Sequence, residues 1–183
     1  MSDYEEIIGD GGCPWDEYTC EKAAEGGHLK ILEWLRNPET GGGRCPWDEK
    51  TCRNAARGGH LEVLQWLRDP DTGGGRCPWD ENVCQMAAEG GYLEILEWLR
   101  NPETGGGRCP WDEDTCQGAA AGGHLRVLEW LRNPETGGGR CPWDEWAYKE
   151  AVEYGHPQVS QWLRNPDTGG GVCPLDEDTI SET

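Results

Sequence analysis

The chain has 183 residues, of which 16 are Lys or Arg and 35 are Asp or Glu, and the resulting net charge of −19 repels phosphate backbones and anionic membrane surfaces. No apolar run approaches the roughly 18 residues a membrane span needs, and Met1-Ser-Asp-Tyr-Glu-Glu6 lacks the basic-then-apolar order of a signal peptide. Nucleic acid and membrane are therefore not expected as partners. Basic protein surfaces are favoured, and a soluble cytoplasmic protein is expected.

The phrase that begins Cys13-Pro-Trp-Asp16 restarts at Cys45, Cys77, Cys109, Cys141 and, cut short, at Cys173. The chain thus divides into a half-cap over 1–12, five 32-residue units (13–44, 45–76, 77–108, 109–140 and 141–172) and a stretch over 173–183 expected to be either a truncated sixth unit or a C-terminal cap. A period of this length argues for stacked repeats, each burying its apolar face only against its neighbours. Of the eleven Trp, ten sit at two fixed places in the unit, which reads as packing.

Residues 1–12 carry Tyr4, Ile7 and Ile8, which suit a lid over the apolar end of the first unit. Asp16 is the expected N-cap of helix A, with Glu17 adding charge at the positive end of the helix dipole. Trp15 just before the cap and Cys20 at the fourth helical position form the apolar pair that staples a chain to its helix. Ala23 and Ala24 are small enough for a second helix to lie close, and Gly26-Gly27 supplies residues that tolerate positive φ and end helix A. Helix B is expected from about His28 to Arg36, with Leu29, Ile31, Leu32 and Leu35 on its apolar stripe, Trp34 broadening it, and Lys30 and Glu33 in water. Asn37-Pro38 stops it, and Glu39 to Arg44 is a glycine-rich loop.

Two short antiparallel helices and a projecting loop in every unit, with Ala23-Ala24, Gly27-His28-Leu29 and Ile31-Leu32-x-x-Leu35 at the centre, resemble the ankyrin repeat. The likeness runs from Cys13 to about Val172 and is nearest to the Cys-Pro-Trp-Asp, Trp-Leu-Arg variant that large DNA viruses and microalgae carry. Tyr18-Thr19-Cys20-Glu21 stands where that family usually has Thr-Pro-Leu-His, and Asn37 to Arg44 stands in place of its hairpin finger. The resemblance implies an all-α, ankyrin-like solenoid of helix-turn-helix repeats joined by Gly-rich loops. It also implies that the first helices line a concave, partner-binding side.

In the fifth unit Tyr148 replaces Cys20, Val152 replaces Ala24, Tyr154 replaces Gly26, Pro157 replaces Leu29 and Ser160 replaces Leu32. Its second helix is then the most polar, as a terminal unit facing water requires.

The chain shows no constellation for catalysis. Asp16-Glu17 recurs in every unit, whereas a catalytic pair is singular and sits in one cleft among unlike groups. The Gly-Gly-Gly-Arg loops follow a helix and lack the Gly-Lys-Ser/Thr ending of a phosphate cradle. Cys13 and Cys20 are seven apart, unlike the close pairs of zinc sites, and Tyr92 and Tyr148 interrupt any lattice of identical sites. The cysteines are therefore read as reduced thiols with packing roles, the histidines as turn-stabilising hydrogen bonders, and no metal or other cofactor is expected. A metal- or redox-responsive repeat protein is the alternative these cysteines leave open. A further alternative is a recognition segment of a longer protein whose effector domain lies elsewhere.

Variation between the units is concentrated on helix A at positions 18, 21, 22 and 25, which fall on one helical face opposite Cys20, Ala23 and Ala24. The successive stripes begin with Tyr18, Glu21, Lys22 and Glu25, followed by Lys50, Arg53, Asn54 and Arg57. They continue with Asn82, Gln85, Met86 and Glu89, with Asp114, Gln117, Gly118 and Ala121, and with Trp146, Lys149, Glu150 and Glu153. The second stripe is basic in an acidic protein, while Met86, Trp146 and Tyr154 are apolar where solvent is expected, as residues that anchor interfaces are. The candidate site is this set of stripes, and the expected function is non-catalytic binding of a protein or peptide by a monomer. Neutral drift on an unconstrained surface is the competing explanation.

Overall fold

The computed structural model describes residues 16–39, 45–71, 76–103, 108–135, 140–167 and 173–174. The half-cap over 1–12, Trp15 with its staple to Cys20, and the sixth-unit fragment beyond residue 174 lie outside the described residues. So do most of the glycine-rich loops.

Ten α-helices and no strands occur among the described residues. They are α1 (Glu17–Glu25), α2 (Leu29–Arg36), α3 (Glu49–Arg57), α4 (Leu61–Arg68), α5 (Glu81–Glu89), α6 (Leu93–Arg100), α7 (Glu113–Ala121), α8 (Leu125–Arg132), α9 (Glu145–Glu153) and α10 (Pro157–Arg164). The all-α class and the helix-turn-helix pairing at a 32-residue period are those expected from the repeats. The chain falls into two compact units, Met1–Pro78 and Trp79–Thr183. In the first, α1 packs against α3; in the second, α5 packs against α7 and α7 against α9. None of the helices is long and apolar enough to cross a membrane.

Local chemistry sets the helix ends. Asp16 accepts from the Thr19 amide at 3.1 Å, Asp48 from Lys50 at 3.0 Å and Asp144 from Trp146 at 3.1 Å, so these carboxylates cap α1, α3 and α9 as expected. Asp80 and Asp112 occupy the same place without a side-chain cap bond, and Asp80 instead receives the Asn82 amide at 3.0 Å. At the other end, Gly27 N–H bonds Ala24 C=O and His28 N–H bonds Ala23 C=O, a Schellman closure that satisfies two terminal carbonyls. Only the second glycine of each pair requires positive φ, +69° at Gly27 and +75° at Gly155. The first place keeps negative φ, which is why Tyr154 can occupy it.

The buried interior is thin and repetitive, as a stack of short helices requires. Cys52, Ala55, Ala56, Leu64 and Leu67 are fully enclosed in the second repeat, and Cys116, Ala119, Ala120, Leu128 and Leu131 in the fourth. Ile31 and Trp34 depart from the expected stripe: Ile31 is 47% exposed, whereas its counterparts Val63, Ile95, Val127 and Val159 are buried. Among the described residues no helix B precedes α2, and that side of α2 is open.

Three polar side chains join successive repeats, and their partners are set by the stack. The arginine that ends α2, α4, α6 and α8 is buried, whereas Arg164 at the end of α10 is exposed; Arg36, 7% exposed, stacks 3.8 Å from the Trp47 ring centre and donates to the Cys45 carbonyl. The ring it covers meets Trp66 edge-on at 5.8 Å, so the tryptophan before the cap packs onto helix B of its own repeat.

The described repeat-opening cysteines, Cys45, Cys77, Cys109, Cys141 and Cys173, are also fully committed. Cys77 donates its N–H to Leu67 C=O at 2.9 Å and its thiol to Asp48 C=O at 3.2 Å, while its own carbonyl accepts from Arg68 at 2.5 Å. Finally, His60 Nε2 donates to Glu25 C=O at 2.9 Å, and His124 to Glu89 C=O at the same distance. The histidines thus reach past their own turns and hold the last carbonyls of the preceding helix A, where a donor is favourable.

Candidate functional site

The enclosed helix-A residues are Cys, Ala and Ala on α1, α3, α5 and α7 and Ala147, Tyr148 and Ala151 on α9, which leaves the opposite side of each of these helices toward solvent. The stripe residues lie there, and the structure distinguishes among them.

In the first unit, Tyr18 is 61% exposed, Lys22 bonds Glu25 at 2.6 Å, and the Lys22 ammonium lies 5.5 Å from the Tyr18 ring centre. The three side chains form one linked surface on α1. Mutual bonding raises the Lys22 pKa and lowers that of Glu25, so both stay charged. On α3, Lys50 and Arg57 are exposed, Arg53 and Asn54 half-buried. Lys50 lies 3.9 Å from Asp48, and the Arg57 charge also acts on Glu25.

In the second unit, Asn82 and Met86 are half-buried rather than exposed. The Asn82 amide is engaged with Asp80, and Met86 lies partly enclosed. Glu89 and Asp114 are exposed, and Trp146 and Tyr154 are 51% and 60% exposed. Lys149 stands 4.7 Å over the Trp146 ring.

The same side of this unit contains a cleft of about 400 Å³. Helix α5 contributes Gln85 and Glu89, α7 contributes Gln117, Gly118 and Ala121 with its cap Gly122, and α9 contributes Glu150 with its cap Tyr154. The volume is at the small end of the roughly 300–1,000 Å³ of clefts that hold ligands. Its floor results from residue size. Gly118 and Ala121 occupy stripe places held elsewhere by Lys22, Asn54, Met86 and Glu150, or by Glu25, Arg57, Glu89 and Glu153. Gly118 is buried, and a Cβ on it would lie 3.0 Å from the Gln85 carbonyl, so this place serves close helix approach and not contact with a partner.

The electrostatics of the cleft are negative. The Glu150 carboxyl is raised above the ordinary carboxylate range by burial first, then by the charges of Glu153 and Glu89. Gln117 turns to the next cap, its Nε2 3.2 Å from both Asp144 oxygens. The stripe comparison reaches most of these residues. It reads Gly118 and Ala121 as surface text, however, and the signal it leaves unused is their size.

Among the described residues no group of three or more His, Cys, Asp or Glu side chains converges as a metal ion requires. The described cysteines are all buried and unpaired by disulfides. The Cys77 and Cys141 thiols are held strongly toward the protonated form, chiefly by hydrogen bonding with Cys52 and Cys116 and then by burial. Burial pushes the Cys173 thiol up to about 12.

No family model matches the chain, and no curated protein matches it.

Proposed function

We propose that the chain is a non-catalytic scaffold of the ankyrin-repeat family that binds a folded protein or a peptide through the exposed side of its helix-A series. The observation that carries this reading is the segregation of variation. The first four repeats agree where side chains are enclosed, at Cys20, Ala23, Ala24, Leu32, Leu35, Arg36 and their counterparts, and the fifth departs from them at Tyr148, Val152 and Ser160. They differ on the open side of helix A, where Tyr18, Trp146 and Tyr154 expose aromatic surface of the kind that anchors interfaces. The net charge of −19 favours a basic partner over an anionic membrane surface.

The reading is tested by charge reversal at Lys50, Arg53 and Arg57 combined with Trp146→Ala, compared with the parent in affinity capture from the source cell. Loss of captured partners by the variant is expected. Retention of every partner would remove the helix-A assignment.

A further inference from the structure

We propose that the cleft between α5, α7 and α9 receives an extended basic segment of a partner protein, with one Lys or Arg side chain seated between Glu89 and Glu150. The inference rests on the protein-binding reading above and names the chemistry of the partner at one place in it.

Three observations support it. The first is shape. The cleft holds about 400 Å³, too little for a helix, which is roughly 10–12 Å across with its side chains, and suited to one long side chain with its flanking backbone. Its floor at Gly118 is set by direct contact of α7 with the α5 backbone, so the depth belongs to the fold and not to a rotamer.

The second is charge. Glu89 and Glu150 face the cleft from α5 and α9, and no ion pair engages either among the described residues. Burial, Glu153 and Glu89 all oppose ionisation of Glu150, and a bound cation would offset the repulsion from the two neighbouring carboxylates. Neither Lys nor Arg lines the cleft, and Lys149 on α9 is placed over Trp146.

The third is the rim. Tyr154 offers an exposed aromatic ring beside the carboxylates, a surface on which a guanidinium or ammonium group stacks favourably. Gln117 is committed to Asp144, while Gln85 in the same wall has an amide suited to hydrogen bonding with a peptide backbone. A cationic side chain crossing an acidic, part-buried cleft forms charge-assisted hydrogen bonds, which are stronger than neutral ones. The extended backbone of the segment keeps its flanking groups in water.

The experiment titrates the full chain with the peptide Gly-Ser-Gly-Arg-Gly-Ser-Gly, followed by amide shifts in two-dimensional NMR. Shifts confined to the ends of α5, α7 and α9 are expected, with binding about tenfold weaker in Glu89→Gln/Glu150→Gln. Glu94→Gln/Glu129→Gln, which removes the same charge from exposed places on α6 and α8, is expected to bind as the parent does. Ala121→Lys, which brings a cation to the cleft, is expected to abolish binding and supports the proposal even if the glutamine variant fails to fold. Equal weakening in both glutamine variants would show attraction to net charge alone and overturn the proposal. So would shifts spread over the acidic surface, self-association through the cleft, or no binding by the parent. Each of these leaves the broader scaffold reading to the capture experiment, which the Lys50, Arg53, Arg57 and Trp146 variant decides independently.

Discussion

The guanidinium of Arg100 lies 3.8 Å from the centre of the Trp111 ring while its Nη1 donates to the Cys109 carbonyl at 2.6 Å. One side chain therefore covers the aromatic ring of the next repeat and fixes the backbone that leads into it. Burial lowers the Arg100 pKa, yet an arginine stays charged at any working pH.

Arg100→Lys keeps the charge but loses the flat face and the forked donors. A loss of about 1–2 kcal/mol is expected from the stacking and hydrogen-bond contributions together. Urea unfolding followed by tryptophan fluorescence measures it, and a variant as stable as the parent would show that the stack contributes nothing.

The described cysteines are enclosed, and their thiols are held in the protonated form where a shift is resolved. The thiolate is the reactive species, so these groups are expected to resist a thiol reagent in the native state and to react after unfolding. Rapid labelling of Cys52 or Cys77 in the folded protein, read by peptide mass, would revive a redox role for the repeats.

Thr115 Oγ1 is buried without a hydrogen-bond partner, at a place where the third repeat has the fully buried Val83. Thr115→Val preserves the shape and removes the unsatisfied hydroxyl. A gain of about 1 kcal/mol in unfolding free energy is expected. A loss would mean that the hydroxyl is satisfied in solution.

The Asp112 carboxyl is raised above its ordinary value of 3.8 by burial first, then by Asp114, Glu113 and Glu81. A raised folded-state pKa means that the native state binds the proton more tightly than the unfolded chain does. This site's contribution therefore falls as pH rises from the unfolded value through the folded one, and stays low above it. Asn caps a helix as well as Asp does and carries no charge. Asp112→Asn is expected to exceed the parent by roughly 0.5 kcal/mol at neutral pH, the size of a like-charge repulsion on a helix, and to lose that advantage on acidification. An advantage independent of pH would assign the effect to something other than ionisation.

The helices were legible in the sequence because their signals are local. Asp16, the Gly26-Gly27 pair and Asn37-Pro38 act within a few residues of themselves, and the described helices begin and end beside them. The apolar stripes were legible for the same reason, since burial follows helical spacing wherever a neighbouring repeat is present. Ile31 shows the limit, because spacing cannot say whether a neighbour covers it.

The sequence by itself determined the period, the helix pairs, the division between repeated and varied positions, and the acidity of the chain. Only the tertiary structure decided what the eye-catching residues do. The helix-ending arginine, the helix-opening histidine and the repeat-opening cysteine each bond across 9, 35 or 29 residues, a separation at which no local pattern constrains a partner. The cleft beside Glu150 likewise follows from how closely α7 approaches α5 over Gly118, and that distance is set by packing.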